Sequence, residues 1–233
     1  MRGRVTRVPV GVLVSGRGSN LQALLDAAAD PAFPAEIVRV VSNVPDVYAL
    51  ERARKAGVDA VCVPSKGRPR AEFEQELLAT LGPVEWVCLA GFMRVLTPTF
   101  LGQFPGRVLN IHPALLPSFP GTHGPGQALA YGVTQAGVTV HLVDAGVDIG
   151  PILAHGSVPV LDDDTEDSLA ARILAVEHRI YPMVLRWAAE GRIRTEGRRA
   201  FVRLPDGDAR WLVGDRKSTR LNSSHSSVSR MPS

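Results

Sequence analysis

The stretch Val8-Pro9-Val10-Gly11-Val12-Leu13-Val14-Ser15-Gly16-Arg17-Gly18-Ser19-Asn20-Leu21-Gln22 decides the fold. It reads as an apolar strand running into a glycine turn and on into a helix. A strand apolar at nearly every position is one covered on both faces, as in a parallel sheet. Gly16 and Gly18 let the chain turn sharply, and the free amides at a helix start favour an anion. The pattern opens like a dinucleotide fingerprint, yet Leu21 and Gln22 stand where a third glycine would follow. The segment after the second strand, Ser42-Asn43-Val44-Pro45-Asp46, is a weak place for a ribose-binding acid, so NAD is not expected. A site for one phosphate, held by Gly18, Ser19 and Asn20, fits better. A bare glycine turn with Ser19 as N-cap is the alternative.

Outward from that unit, short β-branched runs alternate with helical periods. Residues 36–42, 59–63, 84–90 and 107–111 predict strands, while 19–29, 47–56 and 71–81 predict helices, the second closed by Gly57. Such repetition predicts an α/β fold, a doubly wound, mostly parallel open sheet of Rossmann-like type with right-handed crossovers. The second half changes character. Residues 138–143 alternate, with Thr139 and His141 on one face, and 152–160 read as a neighbouring strand. A long helix over 165–190 follows, opened by a Thr or Asp cap, and then short strands over 200–204 and 210–213. These elements predict an antiparallel extension toward the C-terminus. With no internal repeat and no Pro/Gly-rich linker, one domain over 8–213 is expected.

The chain has 233 residues, 45% hydrophobic and 21% charged, a composition that suits a globular protein with its own core. No run approaches the ~20 apolar residues that cross a bilayer, so no membrane partner is expected. The formal charge of +3 lies in one place: Arg216, Lys217, Arg220 and Arg230 stand against Asp215 alone. The body is neutral and lacks the clustered cations that a nucleic acid needs. Residues 214–233 are Ser-rich and periodless, and are expected to be disordered and foreign to the native protein. Cys62 and Cys88 sit in apolar runs without metal-ligand spacing; they read as reduced core thiols, with no metal. The run after Arg2, Arg4 and Arg7 is too short for a secretory signal, which points to the cytoplasm.

The densest chemistry lies in Asn110-Ile111-His112-Pro113-Ala114-Leu115-Leu116-Pro117, at the carboxyl end of the fifth strand, where open α/β sheets bind ligands. Alternation puts Asn110 and His112 on one side, Ile111 on the other. A donating amide beside an imidazole suits acyl transfer, one holding an oxyanion while the other moves a proton. A polar strand end bonded to local backbone is the plainer alternative. Asp148, in Val147-Asp148-Ile149-Gly150-Pro151, is a lone carboxylate that by itself reads as a turn residue.

Taken in order, residues 15–22, Leu89-Ala90-Gly91-Phe92-Met93-Arg94-Val95-Leu96, Asn110-Ile111-His112-Pro113 and Asp148-Ile149-Gly150-Pro151 resemble the phosphoribosylglycinamide formyltransferase family. Glu51-Arg52-Ala53 and Glu177-His178 with Ile180-Tyr181-Pro182 extend the resemblance over about 8–187. It implies transfer of a formyl group from 10-formyltetrahydrofolate, a co-substrate, to the amine of glycinamide ribonucleotide by direct attack without a covalent enzyme intermediate. It implies catalysis by Asn110, His112 and Asp148. Asn110 and charged His112 would stabilise the oxyanion, while Asp148 favours that charge and organises water. It assigns the substrate phosphate to Gly18, Ser19 and Asn20, and the neighbourhood of its amine to Glu177. Met93, Arg94, Val95, Leu96 and Asn110 fall to the folate, with Arg70 near its tail. A phosphate-binding half over about 8–105 and a catalytic half over about 106–213 follow, in a monomer or homodimer acting on small molecules. The chain departs from the family at Gly124-Pro125-Gly126, where further polar residues are usual, and His123 beside it is left as a loop residue. His141 reads equally as a site neighbour or a satisfied sheet histidine.

Formyltetrahydrofolate hydrolase is the nearest rival, with a similar Asn–His–Asp set. It is expected to carry an added N-terminal domain, against seven residues before the first strand here. Methionyl-tRNA formyltransferase would add a C-terminal barrel and want a basic surface. A noncatalytic nucleotide-binding module would leave Asn110, His112 and Asp148 without a purpose.

Overall fold

A computed structural model describes residues 7–214; of the tail expected over 214–233, Gly214 is buried and its amide donates to the Ser157 carbonyl at 2.7 Å, and the rest lies outside the described residues. Among the described residues one sheet of eight strands organises the fold: β1 (Val8–Val14), β2 (Ala35–Ser42), β3 (Asp59–Cys62), β4 (Trp86–Leu89), β5 (Val108–His112), β6 (Gln135–Leu142), β7 (Ile152–Pro159) and β10 (Trp211–Val213). The spatial order is β3-β2-β1-β4-β5-β6-β7-β10. β1 to β5 pair in parallel, β6 runs antiparallel to both β5 and β7, and β10 returns parallel to β7. The mostly parallel sheet and the antiparallel turn at β6 are as the sequence predicts. A separate hairpin of β8 (Ile193–Glu196) and β9 (Arg199–Val202) follows the long helix.

The strands bury both faces. Val10, Val12 and Val14 point into a core shared with Leu21, Leu24 and Leu25 of α1 (Ser19–Ala28), Ala49 and Ala53 of α2 (Tyr48–Lys55), and α6 (Glu166–Ala189). Leu13, Val87 and Leu89 point the other way, against Phe73, Leu77 and Leu81 of α3 (Arg70–Leu81) and Phe100 of α4 (Pro98–Leu101). A buried leucine in such a core contributes about 2–5 kcal/mol by truncation. In α6, Thr165 and Ser168 form a reciprocal cap at the expected start. Further along, the buried Tyr181 hydroxyl sits 2.9 Å from the Leu89 carbonyl and 3.2 Å from that of Leu109, tying α6 to the strands that carry the site.

Three elements escape the sequence reading. α5 (Gly124–Tyr131) begins Gly124-Pro125-Gly126, residues of poor helix propensity that are held by burial of Gly124, Pro125 and Ala128. α4 is one turn long, set by the Thr97 cap and Pro98 behind it. β8 is polar and exposed after Ile193, with no alternation to signal a strand, and it pairs with β9.

Candidate active site

At the end of β1 the chain enters α1 through Gly18, whose φ of 73° is left-handed. A Cβ there would lie 2.6 Å from Cβ of Ala49, so only glycine fits. Gly18 itself is the N-cap, and no side chain caps the helix. Ser19 is therefore the first helical residue rather than the cap, and the leading amides of α1 are left for an anion. The Asn20 side chain is turned to α6, while its backbone amide stays at the helix start. Its Nδ2 donates to Oε2 of Glu177 at 2.6 Å, which joins the start of α1 to the middle of α6. Glu177 is buried, and burial pushes its carboxyl above the usual range, with the Asn20 bond opposing. Oδ1 of Asn20 is buried and has no partner among the described residues.

On the β5–β6 ladder Asn110 stands opposite His141, and His112 opposite Thr139. Thr139 stands opposite His155 of β7, so one face carries a polar strip across three strands. The strip holds the loop after β5: Thr139 Oγ1 donates to the Ala114 carbonyl at 2.6 Å and accepts from the Leu116 amide at 2.9 Å. His155 Nε2 lies 3.2 Å from the Leu116 carbonyl.

Asp148 arrives from the β6–β7 connection with a φ of 54°, a left-handed conformation that Asp tolerates and most residues resist. Its Oδ2 lies 3.5 Å from Nδ1 of His112 and accepts the Gly121 amide at 2.9 Å. Its Oδ1 lies 3.5 Å from Nδ2 of Asn110 and 3.7 Å from Nε2 of His141. Nε2 of His112 sits 2.9 Å from the Phe119 carbonyl oxygen. A carbonyl and a carboxylate can only accept, so a ring protonated at both nitrogens satisfies both neighbours. The imidazole is 4% exposed, which makes the carboxylate beside it a strong local charge.

The residues that the resemblance assigns to folate are dispersed. Met93 is 70% exposed and its amide donates to Ser15 Oγ at 2.8 Å, which joins that loop to the turn after β1. Ser15 continues to Asn43, and Asn43 to Ser65, across three strand ends. Val95 is exposed, whereas Leu96 is 4% exposed and belongs to the core with Phe73, so its side chain does not form an open wall. The Arg94 guanidinium lies over the Phe73 ring of α3 at 5.8 Å. Arg70 is exposed as the first residue of α3, while neighbouring Arg68 is paired with Glu76 at 2.7 Å. His123 is exposed at the start of α5. No group of three or more His, Cys, Asp or Glu suited to a metal occurs among the described residues. No helix there is long and apolar enough to cross a membrane.

Sequence reasoning left His141 undecided and missed the Phe119 carbonyl and the Gly121 amide. Cross-strand register brings the first to Asn110; the loop after β5 brings the Phe119 carbonyl to His112, and the connection after β6 brings Asp148 back to the Gly121 amide. No spacing rule along one strand signals either.

Fold and site together define an open α/β-sheet protein with an Asn–His–Asp cluster at the carboxyl end of a central strand. Residues 8–185 match the family described as Formyl transferase, and the chain belongs to that family. The trifunctional purine biosynthetic protein adenosine-3 of Drosophila pseudoobscura is 48% identical over 193 residues, 81% of this chain and 14% of that much longer protein. The phosphoribosylglycinamide formyltransferase of Escherichia coli is 42% identical over 200 residues, 83% of this chain and 94% of the relative. Glycinamide ribonucleotide transformylase 1 from Symbiobacterium toebii superposes with a TM-score of 0.81 at 49% identity, over 86% of this chain and 95% of that one. A formyltetrahydrofolate deformylase from Pseudomonas syringae has a TM-score of 0.80 at 25% identity, over 85% of this chain and 67% of its own.

Proposed function

We propose that this chain is an enzyme of purine biosynthesis that moves the formyl group of 10-formyltetrahydrofolate to the amine of glycinamide ribonucleotide. The observation that carries the mechanism is the approach of Asp148 to within 3.5 Å of both His112 and Asn110. The substrate amine attacks the formyl carbon and a tetrahedral oxyanion forms. Collapse breaks the bond from that carbon to N10 of the folate, and one proton passes from the amine nitrogen to N10. The Asn110 amide faces the oxyanion, the charge of His112 stabilises it, and Asp148 holds the imidazolium. The amides of Gly18, Ser19 and Asn20 take the phosphate, which the bare helix start supports. Glu177 lies on the amine side, set there by Asn20. Met93, Arg94 and Val95 border the folate with the Leu96 backbone, and Arg70 faces its acidic tail. The same reading keeps one domain over 8–213 with small-molecule substrates, in the cytoplasm.

The test is one spectroscopic assay with 10-formyl-5,8-dideazafolate in place of the natural donor. Loss of the formyl group only when glycinamide ribonucleotide is present is the expected result. Loss without the amine would make the chain a deformylase, in which water takes the place of the amine. No loss under either condition would remove the catalytic reading.

A further inference from the structure

We infer that His141 is a positioning residue for formyl transfer: its bare Nε2 fixes which way the Asn110 carboxamide points, an inference resting on the functional reading above. The chain of constraints starts at the backbone. The Leu142 carbonyl, 2.9 Å from Nδ1 of His141, can only accept, so Nδ1 carries a hydrogen. The ring is 2% exposed. Burial pushes its pKa below the usual histidine range and His112 adds to that, while the Leu142 carbonyl, Asp148 and Asp144 oppose. A neutral ring protonated at Nδ1 has a lone pair at Nε2 and needs a donor there. Asn110 supplies it, with Nδ2 at 3.1 Å from the position directly across the β5–β6 ladder.

The reversed amide would set Oδ1 of Asn110 against that lone pair and against the Asp148 carboxylate, 3.5 Å from the same atom. Both contacts would be repulsive, so the orientation is held from two sides. One Nδ2 hydrogen is committed to His141. The other meets Asp148 only at the limit of hydrogen-bond length, which leaves it available to a ligand oxygen without any rotation of the amide. A donor locked in place before charge develops stabilises the oxyanion without reorganisation, and a freely rotating amide does not. A histidine serving the sheet alone would satisfy its nitrogens equally well, but its loss would be felt in stability and not in turnover.

The experiment combines three measurements. Nitrogen NMR of the wild-type protein should show the His141 ring neutral, protonated at Nδ1 and bare at Nε2. His141→Phe should lower kcat roughly tenfold, with KM for both substrates within about twofold. His141→Gln, which can still accept from Asn110, should recover most of that loss. A ring protonated at Nε2 would overturn the proposal even if His141→Phe fails to fold. So would wild-type kcat in a folded His141→Phe protein, or a Gln variant no better than Phe. Wild-type protein without formyl transfer would instead sink the functional reading, and the ring tautomer would still decide the geometry.

Discussion

At the start of α1 the groups we propose to face a ligand are backbone amides of consecutive residues, whereas on the β5–β6 face they are side chains drawn from separate segments. The first arrangement is built by one glycine. Gly18 turns the chain, lies flush against Ala49 and leaves the helix uncapped. The second is built by register. Asn110 and His112 share a strand, His141 comes from the antiparallel neighbour, and Asp148 from a loop in left-handed conformation. A backbone site holds a phosphate in the ground state and transition state alike, so it serves binding. Side chains held in a buried, charged cluster act on charge that appears only during reaction, so they serve turnover.

The sharpest way to break that division is Asp148→Asn. Asn tolerates the same left-handed backbone and can accept the Gly121 amide, so the change isolates the charge. Turnover should fall on the order of 100- to 1000-fold with KM nearly constant, measured by steady-state kinetics on both substrates. His112→Ala should cost at least as much, and the double variant should fall well short of the product of the two. A large rise in KM with unchanged kcat would place Asp148 on the binding side instead.

Gly18→Ala tests the other end. Strain of about 1–3 kcal/mol is expected from a left-handed alanine pressed on Ala49. The ribonucleotide KM should rise about tenfold or more while kcat changes little, and the melting temperature should drop. An unchanged KM would show that the α1 amides do not hold the phosphate.

Glu177→Gln sharpens the link between the ends. The raised carboxyl of Glu177 means that the folded state holds its proton more tightly than the unfolded chain, so ionisation destabilises the fold as pH rises above the usual glutamate range. A glutamine can also donate to the unpartnered Oδ1 of Asn20. The variant should therefore melt above wild type at pH 7, the gap closing in acid, while its affinity for the amine substrate falls. A lower melting temperature at pH 7 would contradict the burial of a strained charge.

The smallest functional effect belongs to Asp164→Asn, remote from both ends. Its hydrogen bonds to buried Arg172, helped by the Leu161 amide and Ser168, hold the Asp164 carboxyl down at about 2. Stability from a depressed carboxyl is fully present above its unfolded value and lost as pH falls through the folded one. Calorimetry should show Asp164→Asn melting below wild type at pH 7 and the difference vanishing between about 4 and about 2. Its kcat should match wild type.

Much of the fold was legible because it is local. The apolar runs of β1 and β4, the glycine turn at Gly18 and the cap at Thr165 each declare themselves within a few residues, and strand–helix alternation leaves few topologies. Asn110 and His112 were legible for the same reason, as alternate residues of one strand end. The sequence also carried the family's residues in order, which is why Asp148 was named at all. Only the tertiary structure decided what those residues do to one another. It alone set His141 against Asn110, turned the Asn20 side chain to Glu177, withdrew Leu96 into the core and made α5 from a Gly-Pro-Gly start. Those outcomes depend on cross-strand register, on helix packing and on burial, which join residues far apart in the chain, and no period along the sequence encodes contacts of that range.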